Sequence, residues 1–135
     1  MELVAIAAVK LQWANRGLVS VSDALSELTN LRDLSVQGSA FVELPAAVFS
    51  LAQLQQLWAF RNRLTTLSPL VGQLCNLTIL NLDRNALTTL PRSISRCVSL
   101  QFLSVDSNKQ QTRLPTHLLQ TACTLLATKT QRLGS

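Results

Sequence analysis

The sequence predicts an α/β solenoid, in which short stacked units each contribute one strand to a parallel sheet and one short helix or turn to the opposite side. Three observations predict this fold class. Leucines recur every 23 residues, each interval contains an LxL segment, and each ends in a segment whose apolar residues are three apart. A fixed period in the range of about 20 to 50 residues is the signature of repeat architectures.

The composition is that of one globular domain. Of 135 residues, 47% are hydrophobic and only 14% are charged, which is enough apolar material for a core. The longest unbroken apolar run is the 7 residues from Leu3 to Val9. Because a spanning helix needs about 20 apolar residues, the composition excludes a transmembrane segment.

The repeat is clearest at its first, fourth and sixth positions. Position one is held by Leu31, Leu54, Leu77 and Leu100. Position four is held by Leu34, Leu57, Leu80 and Leu103, and position six by Val36, Ala59, Leu82 and Val105. Positions four and six lie on one side of a strand, so each unit is predicted to bury alternate residues of a short β-strand.

An asparagine follows the strand at position nine of three units. We expect its amide to donate to and accept from the backbone groups that the turn leaves unpaired, so that stacked units form an asparagine ladder. The members of this predicted ladder are Asn62, Asn85 and Asn108, with Ser39 at the same position of the preceding unit.

The segments after the turn, such as 45–51 and 91–97, predict one or two turns of helix begun by proline. Their inward residues are three apart, as in Val48 and Leu51. No unit can bury its own strand and return segment, so stability must come from stacking in register. Return segments bulkier than strands would bend the stack into an arc whose concave face is the sheet.

The outer units are weaker copies of the repeat. Ala8, Leu11 and Trp13 start a fifth unit, in which Trp13 closes the open end of the stack. We therefore predict one domain over residues 1–135, with repeats starting near 8, 31, 54, 77 and 100. Residues from about 116 to 135 are predicted to form a degenerate cap in which Leu126 takes position four, or else a frayed tail.

The unit from Leu77 to Ser99 reads LTILNLDRNALTTLPRSISRCVS, or LxxLxLxxNxLxxLPxxIxxCxx. It resembles the leucine-rich repeat family, and in particular the 23-residue class of intracellular proteins. The resemblance implies a right-handed horseshoe with a parallel sheet on the concave face and short helices or turns on the convex face. It also implies a protein or peptide partner, in intracellular signalling or scaffolding.

Catalytic and metal sites are not predicted. His117 is the single histidine, and Cys123 is rotated from it by about 240° on a helix, so the two would face apart. Cys75, Cys97 and Cys123 form neither a zinc-binding spacing nor a disulfide framework. No glycine-rich phosphate-binding loop is present. We predict a non-catalytic, cytoplasmic protein without metal or cofactor, and expect no secretory signal in MELVAIAAVK.

The outward strand positions three, five and seven carry the candidate binding residues. Trp58 and Phe60 share one strand, and Ile79 and Phe102 lie on the next two; such a cluster is typical of an interface anchor, although it could merely stiffen the sheet. The predicted partner-binding residues, which include two arginines at position eight, are Gln37, Gln56, Trp58, Phe60, Arg61, Ile79, Asn81, Asp83, Arg84, Phe102, Ser104 and Asp106.

The net charge of +5 raises the question of an anionic partner. The concave positions mix arginines with Asp33, Asp83 and Asp106, so they form no basic stripe of the kind that phosphate binding needs. Arg61 and Arg84 more naturally meet an acidic patch on a protein. Two alternatives remain: the chain is a piece or structural part of a larger repeat protein, or basic surface residues weakly bind nucleic acid or acidic lipid. Oligomeric state stays open.

Overall fold

The computed structural model describes residues 10–12, residue 25, residues 27–109, and the strands 112–114, 124–126 and 131–133. Side chains are described for residue 25 and for 27–109. The strands are β1 (Lys10–Gln12), β2 (Asp33–Ser35), β3 (Gln56–Trp58), β4 (Ile79–Asn81), β5 (Phe102–Ser104), β6 (Thr112–Leu114), β7 (Thr124–Leu126) and β8 (Gln131–Leu133).

The main sheet is parallel and has the strand order β1-β2-β3-β4-β5-β7, whereas β6 pairs in parallel with β8 in a separate two-stranded sheet. Between β1 and β5 every strand is in register with the next at the same repeat position, as in the Cα pairs Leu34–Leu57 and Leu57–Leu80. This confirms the predicted parallel solenoid.

The register changes at the last strand of the main sheet. Leu103 pairs with Leu125, 22 residues later, so the prediction of Leu126 at position four was wrong by one residue. The irregular sequence after Lys109 does not keep the repeat spacing. The rest of the predicted cap, about 116–135, lies outside the described residues apart from β7 and β8, as do Trp13, His117 and Cys123.

The return segments are 3-10 helices: η1 (Ala46–Ser50), η2 (Pro69–Gln73) and η3 (Arg92–Arg96). A 3-10 helix has three residues per turn, so apolar residues that are three apart in the sequence lie on the same side of it. In η1 the amide of Val48 donates to Pro45 O at 3.0 Å, and that of Leu51 donates to Val48 O at 3.3 Å. Within the described ranges, no helix is long and apolar enough for a membrane span.

Proline stands at two different places in these segments. Pro45 and Pro91 precede η1 and η3 in extended conformation, whereas Pro69 is the first residue of η2. The expectation that Pro45 and Pro91 each begin a helix at its first position is therefore wrong, because each is the residue before the first helical one. In η2 the hydroxyl of Ser68 accepts a hydrogen bond from the amide of Leu70 at 3.1 Å and supplies the cap.

The core runs as a continuous column between the sheet and the return segments. Positions one, four and six are buried in the four units that begin at 31, 54, 77 and 100. The column also takes one residue from each turn and one or two from each 3-10 helix, namely Phe41, Leu64, Leu87, Val48, Phe49, Val71 and Ile94. The inward assignment of the LxL segments is therefore confirmed.

The asparagines at position nine join consecutive units. The Nδ2 of Asn62 donates to Val36 O at 3.1 Å and to Ala59 O at 3.0 Å, and its Oδ1 accepts from the amide of Phe41 at 3.1 Å. Asn85 and Asn108 repeat the pattern one and two units later. Each amide therefore satisfies carbonyls of two neighbouring turns, which fixes the stacking of the units.

We expect Gly72→Ala to lower the free energy of unfolding by about 1 to 3 kcal/mol through overpacking between η2 and η3. A Cβ at Gly72 would lie 2.8 Å from Ser93 O and 3.1 Å from Ser93 Cβ. Separating the two helices would strain the bond that the Ser93 hydroxyl donates to Pro69 O at 2.7 Å. Thermal denaturation measures the change. Gln73→Ala, at an exposed residue of the same helix, serves as control, and equal stability of the two variants would contradict this packing.

Candidate protein-binding face

The side of the main sheet that faces away from the core, here called the sheet face, carries strand positions three, five and seven. Most of the predicted binding residues keep part of their surface accessible there. Those that are half-buried are Gln37, Gln56, Trp58, Phe60, Ile79, Asn81, Asp83, Phe102 and Asp106, whereas Arg61 and Arg84 are exposed. The residues are therefore available for contact, and their assignment to a binding site stays a prediction.

Ser104 departs from this pattern. It retains only 4% of its surface, as does Ser35 at the same position three units earlier. The Ser104 hydroxyl donates to Asp83 Oδ1 at 2.6 Å, so the short side chain lies beneath its neighbours. Ser104 therefore has little surface to offer a partner and holds Asp83 through its hydroxyl, while its assignment to the binding site stays a prediction.

The apolar part of the sheet face is centred on β3 and β4. Trp58 and Phe60 lie on either side of the fully buried Ala59, as strand alternation requires. Ile79 and Phe102 are Cα partners on neighbouring strands. Trp58 Nε1 donates to Gln56 Oε1 at 3.3 Å, which restrains the indole on its own strand. Because these large side chains are half-buried rather than free, they form a shaped surface with limited rotamer freedom.

The polar part of the sheet face lies next to it, towards β5. Asp83 Oδ1 accepts from the Ser104 hydroxyl and, at 2.7 Å, from the amide of Asp106. The amide of Asp83 donates to Asn81 Oδ1 at 3.0 Å. Two residues of the following unit, Ser104 and Asp106, thus fix the direction of this carboxylate, whereas Asn81 holds the backbone amide of Asp83.

Position eight, directly after the outward position seven, has a left-handed backbone in four consecutive units. The φ angles are 69° at Gly38, 60° at Arg61, 56° at Arg84 and 57° at Ser107. Glycine adopts this conformation without cost, but arginine does so at a cost of about 1 kcal/mol. Sequence reasoning missed this feature, although glycine at the first of four equivalent positions was a signal for it.

The amides at position eight continue the hydrogen bonding of the sheet. Gly38 N donates to Phe60 O at 3.1 Å, Arg61 N to Asp83 O at 2.9 Å and Arg84 N to Asp106 O at 2.8 Å. Arg61 and Arg84 are therefore in register, with a backbone separation of about 4.8 Å, the spacing of paired strands. Their side chains therefore begin side by side, directly after the last outward position of β3 and β4, and both are exposed.

Reactive groups in the described part of the chain are few. Cys97 is buried, and its thiol donates to Val71 O at 3.2 Å; Cys75 is exposed. Among the residues whose side chains are described, no group of three or more histidine, cysteine, aspartate or glutamate residues could hold a metal ion.

Comparison with known proteins identifies the fold. Residues 60–109 match the family model described as "Leucine rich repeat". No curated protein sequence matches the chain significantly.

Three solved structures illustrate the likeness. A leucine-rich repeat protein of Leptospira interrogans has 24% identity and a TM-score of 0.50, over 87% of this chain and 42% of that one. The leucine-rich repeat ectodomain of the receptor kinase SOBIR1 from Arabidopsis thaliana has 23% identity and a TM-score of 0.69, and the match covers 92% of this chain and 66% of that chain. The plant peptide hormone receptor RGFR1, in complex with RGF2, has 23% identity and a TM-score of 0.68, and the match covers 84% of this chain and 19% of that chain.

The chain therefore spans less than two thirds of the first of these proteins, two thirds of the second and about a fifth of the third. Likeness at these identities establishes the fold. Together with the 23-residue register of the strands, it shows that the chain has the leucine-rich repeat fold, and residues 60–109 match the sequence pattern of that family.

Proposed function

We propose that the chain is a non-catalytic module that binds a protein or peptide on its sheet face, in a signalling or scaffolding role. The observation that carries the proposal is the half-buried apolar group of Trp58, Phe60, Ile79 and Phe102 on adjacent strands. Interface energy concentrates in such aromatic residues when a partner removes their remaining contact with water. The strands beneath them are paired in register, and a surface that is already ordered limits the entropy that binding costs.

A peptide partner is supported by the shape of the surface. The sheet face is a narrow strip of three-residue strands, and its length along the stack suits an extended chain better than a second globular surface. The receptor RGFR1, which shares the fold, is known in complex with RGF2. We propose a cytoplasmic location for this chain, as the cysteine usage favours.

The proposal predicts peptides whose binding depends on the aromatic pair. A random twelve-residue peptide library displayed on phage is selected on the wild-type protein, and the enriched peptides are synthesised. We expect the double change Trp58→Ser and Phe60→Ser to weaken their binding at least tenfold, because the apolar surface of these two side chains is lost. Isothermal titration calorimetry or fluorescence anisotropy measures the dissociation constants.

The matched control removes apolar surface elsewhere. Val42 and Val98, which retain 54% and 77% of their surface, are changed to serine together. We expect this control to bind within twofold of the wild type. Because Trp58 and Phe60 are half-buried, both doubly changed proteins are checked for cooperative unfolding above the assay temperature. Binding that survives the aromatic changes, or that only the valine changes abolish, would overturn the proposal.

A further inference from the structure

The edge of the sheet face beside the aromatic pair is locally basic. In the unit that begins at Leu54, positions seven to ten are Phe60, Arg61, Asn62 and Arg63, with two positive charges and no acid. Both arginines are exposed, on either side of the buried Asn62. The same positions of the next unit add the exposed Arg84 and one acid, Asp83.

The carboxylate of Asp83, which precedes Arg84 in the sequence, is bonded elsewhere. Asp83 directs Oδ1 to the Ser104 hydroxyl and the amide of Asp106, in the following unit. In the described part of the chain, neither Arg61 nor Arg84 forms an ion pair. The two guanidinium groups are thus free to meet charges on another molecule.

Arginine carries a conformational cost in the free chain at these two positions. Each adopts the left-handed backbone that disfavours a side chain, and their in-register placement brings like charges together. Arginine is also the residue that binds carboxylates in two parallel hydrogen bonds. The cost in the free chain and the capacity for bidentate contact both favour a role in recognition.

We infer that the partner segment is acidic, with carboxylate side chains on Arg61 and Arg84 and a neighbouring apolar side chain on Trp58 and Phe60. This inference rests on the proposed function and specifies its partner. Alternate residues of an extended peptide lie about 6.7 Å apart on one side, within reach of two arginines whose backbones are about 4.8 Å apart.

The test uses defined peptides and a charge-matched control. Fluorescein-labelled GSESEYLSGS, whose two glutamates are alternate residues followed by leucine on the same side, is compared with GSQSQYLSGS and GSKSKYLSGS by fluorescence anisotropy at 50 and 150 mM salt. The variants are Arg61→Gln with Arg84→Gln, and, as control, Arg92→Gln with Arg96→Gln on η3. Both lower the net charge from +5 to +3, since each removes two arginines.

We expect the glutamate peptide to bind at least tenfold tighter than the other two, and to lose at least fivefold in affinity when Arg61 and Arg84 are changed. The η3 control should stay within twofold, and higher salt should weaken the wild type more than the Arg61 and Arg84 variant. Equal losses of affinity in both variants would show that net charge alone causes the effect, and would overturn the inference. Tighter, Arg61-dependent binding of inorganic polyphosphate than of the glutamate peptide would overturn it in favour of a phosphate partner.

The failure of this inference differs from the failure of the proposed function. If peptides selected from the random library lack acidic residues and bind the Arg61 and Arg84 variant normally, but still need Trp58 and Phe60, the inference is overturned while the function stands. If they do not need the aromatic pair, the proposed function itself fails.

Discussion

Replacing Leu80 with alanine is expected to lower the free energy of unfolding by about 2 to 5 kcal/mol. Leu80 has no accessible surface and lies at the middle of β4, where its Cα pairs with Leu57 on one side and Leu103 on the other. Removal of three carbon atoms from this column leaves a cavity that the paired strands prevent from closing. Urea denaturation followed by circular dichroism measures the change.

Val98→Ala is the control for Leu80→Ala, because Val98 retains 77% of its surface. Its expected effect is within about 0.5 kcal/mol. If Leu80→Ala were as mild as this control, the side chain at position four would not lie in the shared core, and the inward assignment of the LxL segment would fail.

The second large effect is expected at Asn62, where alanine should cost about 3 kcal/mol. The change leaves the amide of Phe41 and the carbonyl of Val36 without the partners that the side chain supplies, and Asn62 retains only 8% of its surface. A buried polar group that loses its hydrogen bond costs about 1 to 3 kcal/mol. The carbonyl of Ala59 keeps a bond from Asn85 at 3.1 Å, so the loss is local to one turn.

Asn76→Ala tests whether burial in the ladder matters. Asn76 also donates to a backbone carbonyl of the preceding unit, that of Ala52, at 3.0 Å, but from an exposed position. Water replaces that bond, so we expect a cost below about 1 kcal/mol. Thermal denaturation of the two variants side by side gives the comparison, and equal costs would show that the position-nine asparagines do not hold the turns together.

The fold could be predicted because its determinants repeat. Each LxL segment places two apolar residues on the same side of a strand, and an exact period stacks these strands in register without any need to know long-range contacts. The prediction was wrong where the period ends, at Leu125. The form of the return segments was left open between helix and turn, since segments of five residues satisfy more than one helical geometry.

The sheet face was harder to predict, because its geometry depends on neighbours across strands. Alternation places Ser104 outward, but its short side chain lies under longer ones and bonds to Asp83, a residue 21 positions earlier. The left-handed backbone at Arg61 and Arg84 likewise follows from the turn that all units share, which overrides the preference of the individual residue. Neither feature is encoded in the local sequence alone.

The most direct test of the account locates the bound peptide on the protein. Chemical-shift changes are recorded on 15N-labelled wild-type protein titrated with a peptide selected from the random library. We expect the largest changes at backbone amides of residues 56–61 and 79–84, on β3, β4 and the turns that follow them. Largest changes at η1, η2 and η3, with those strands unaffected, would place the partner on the opposite side and contradict the account.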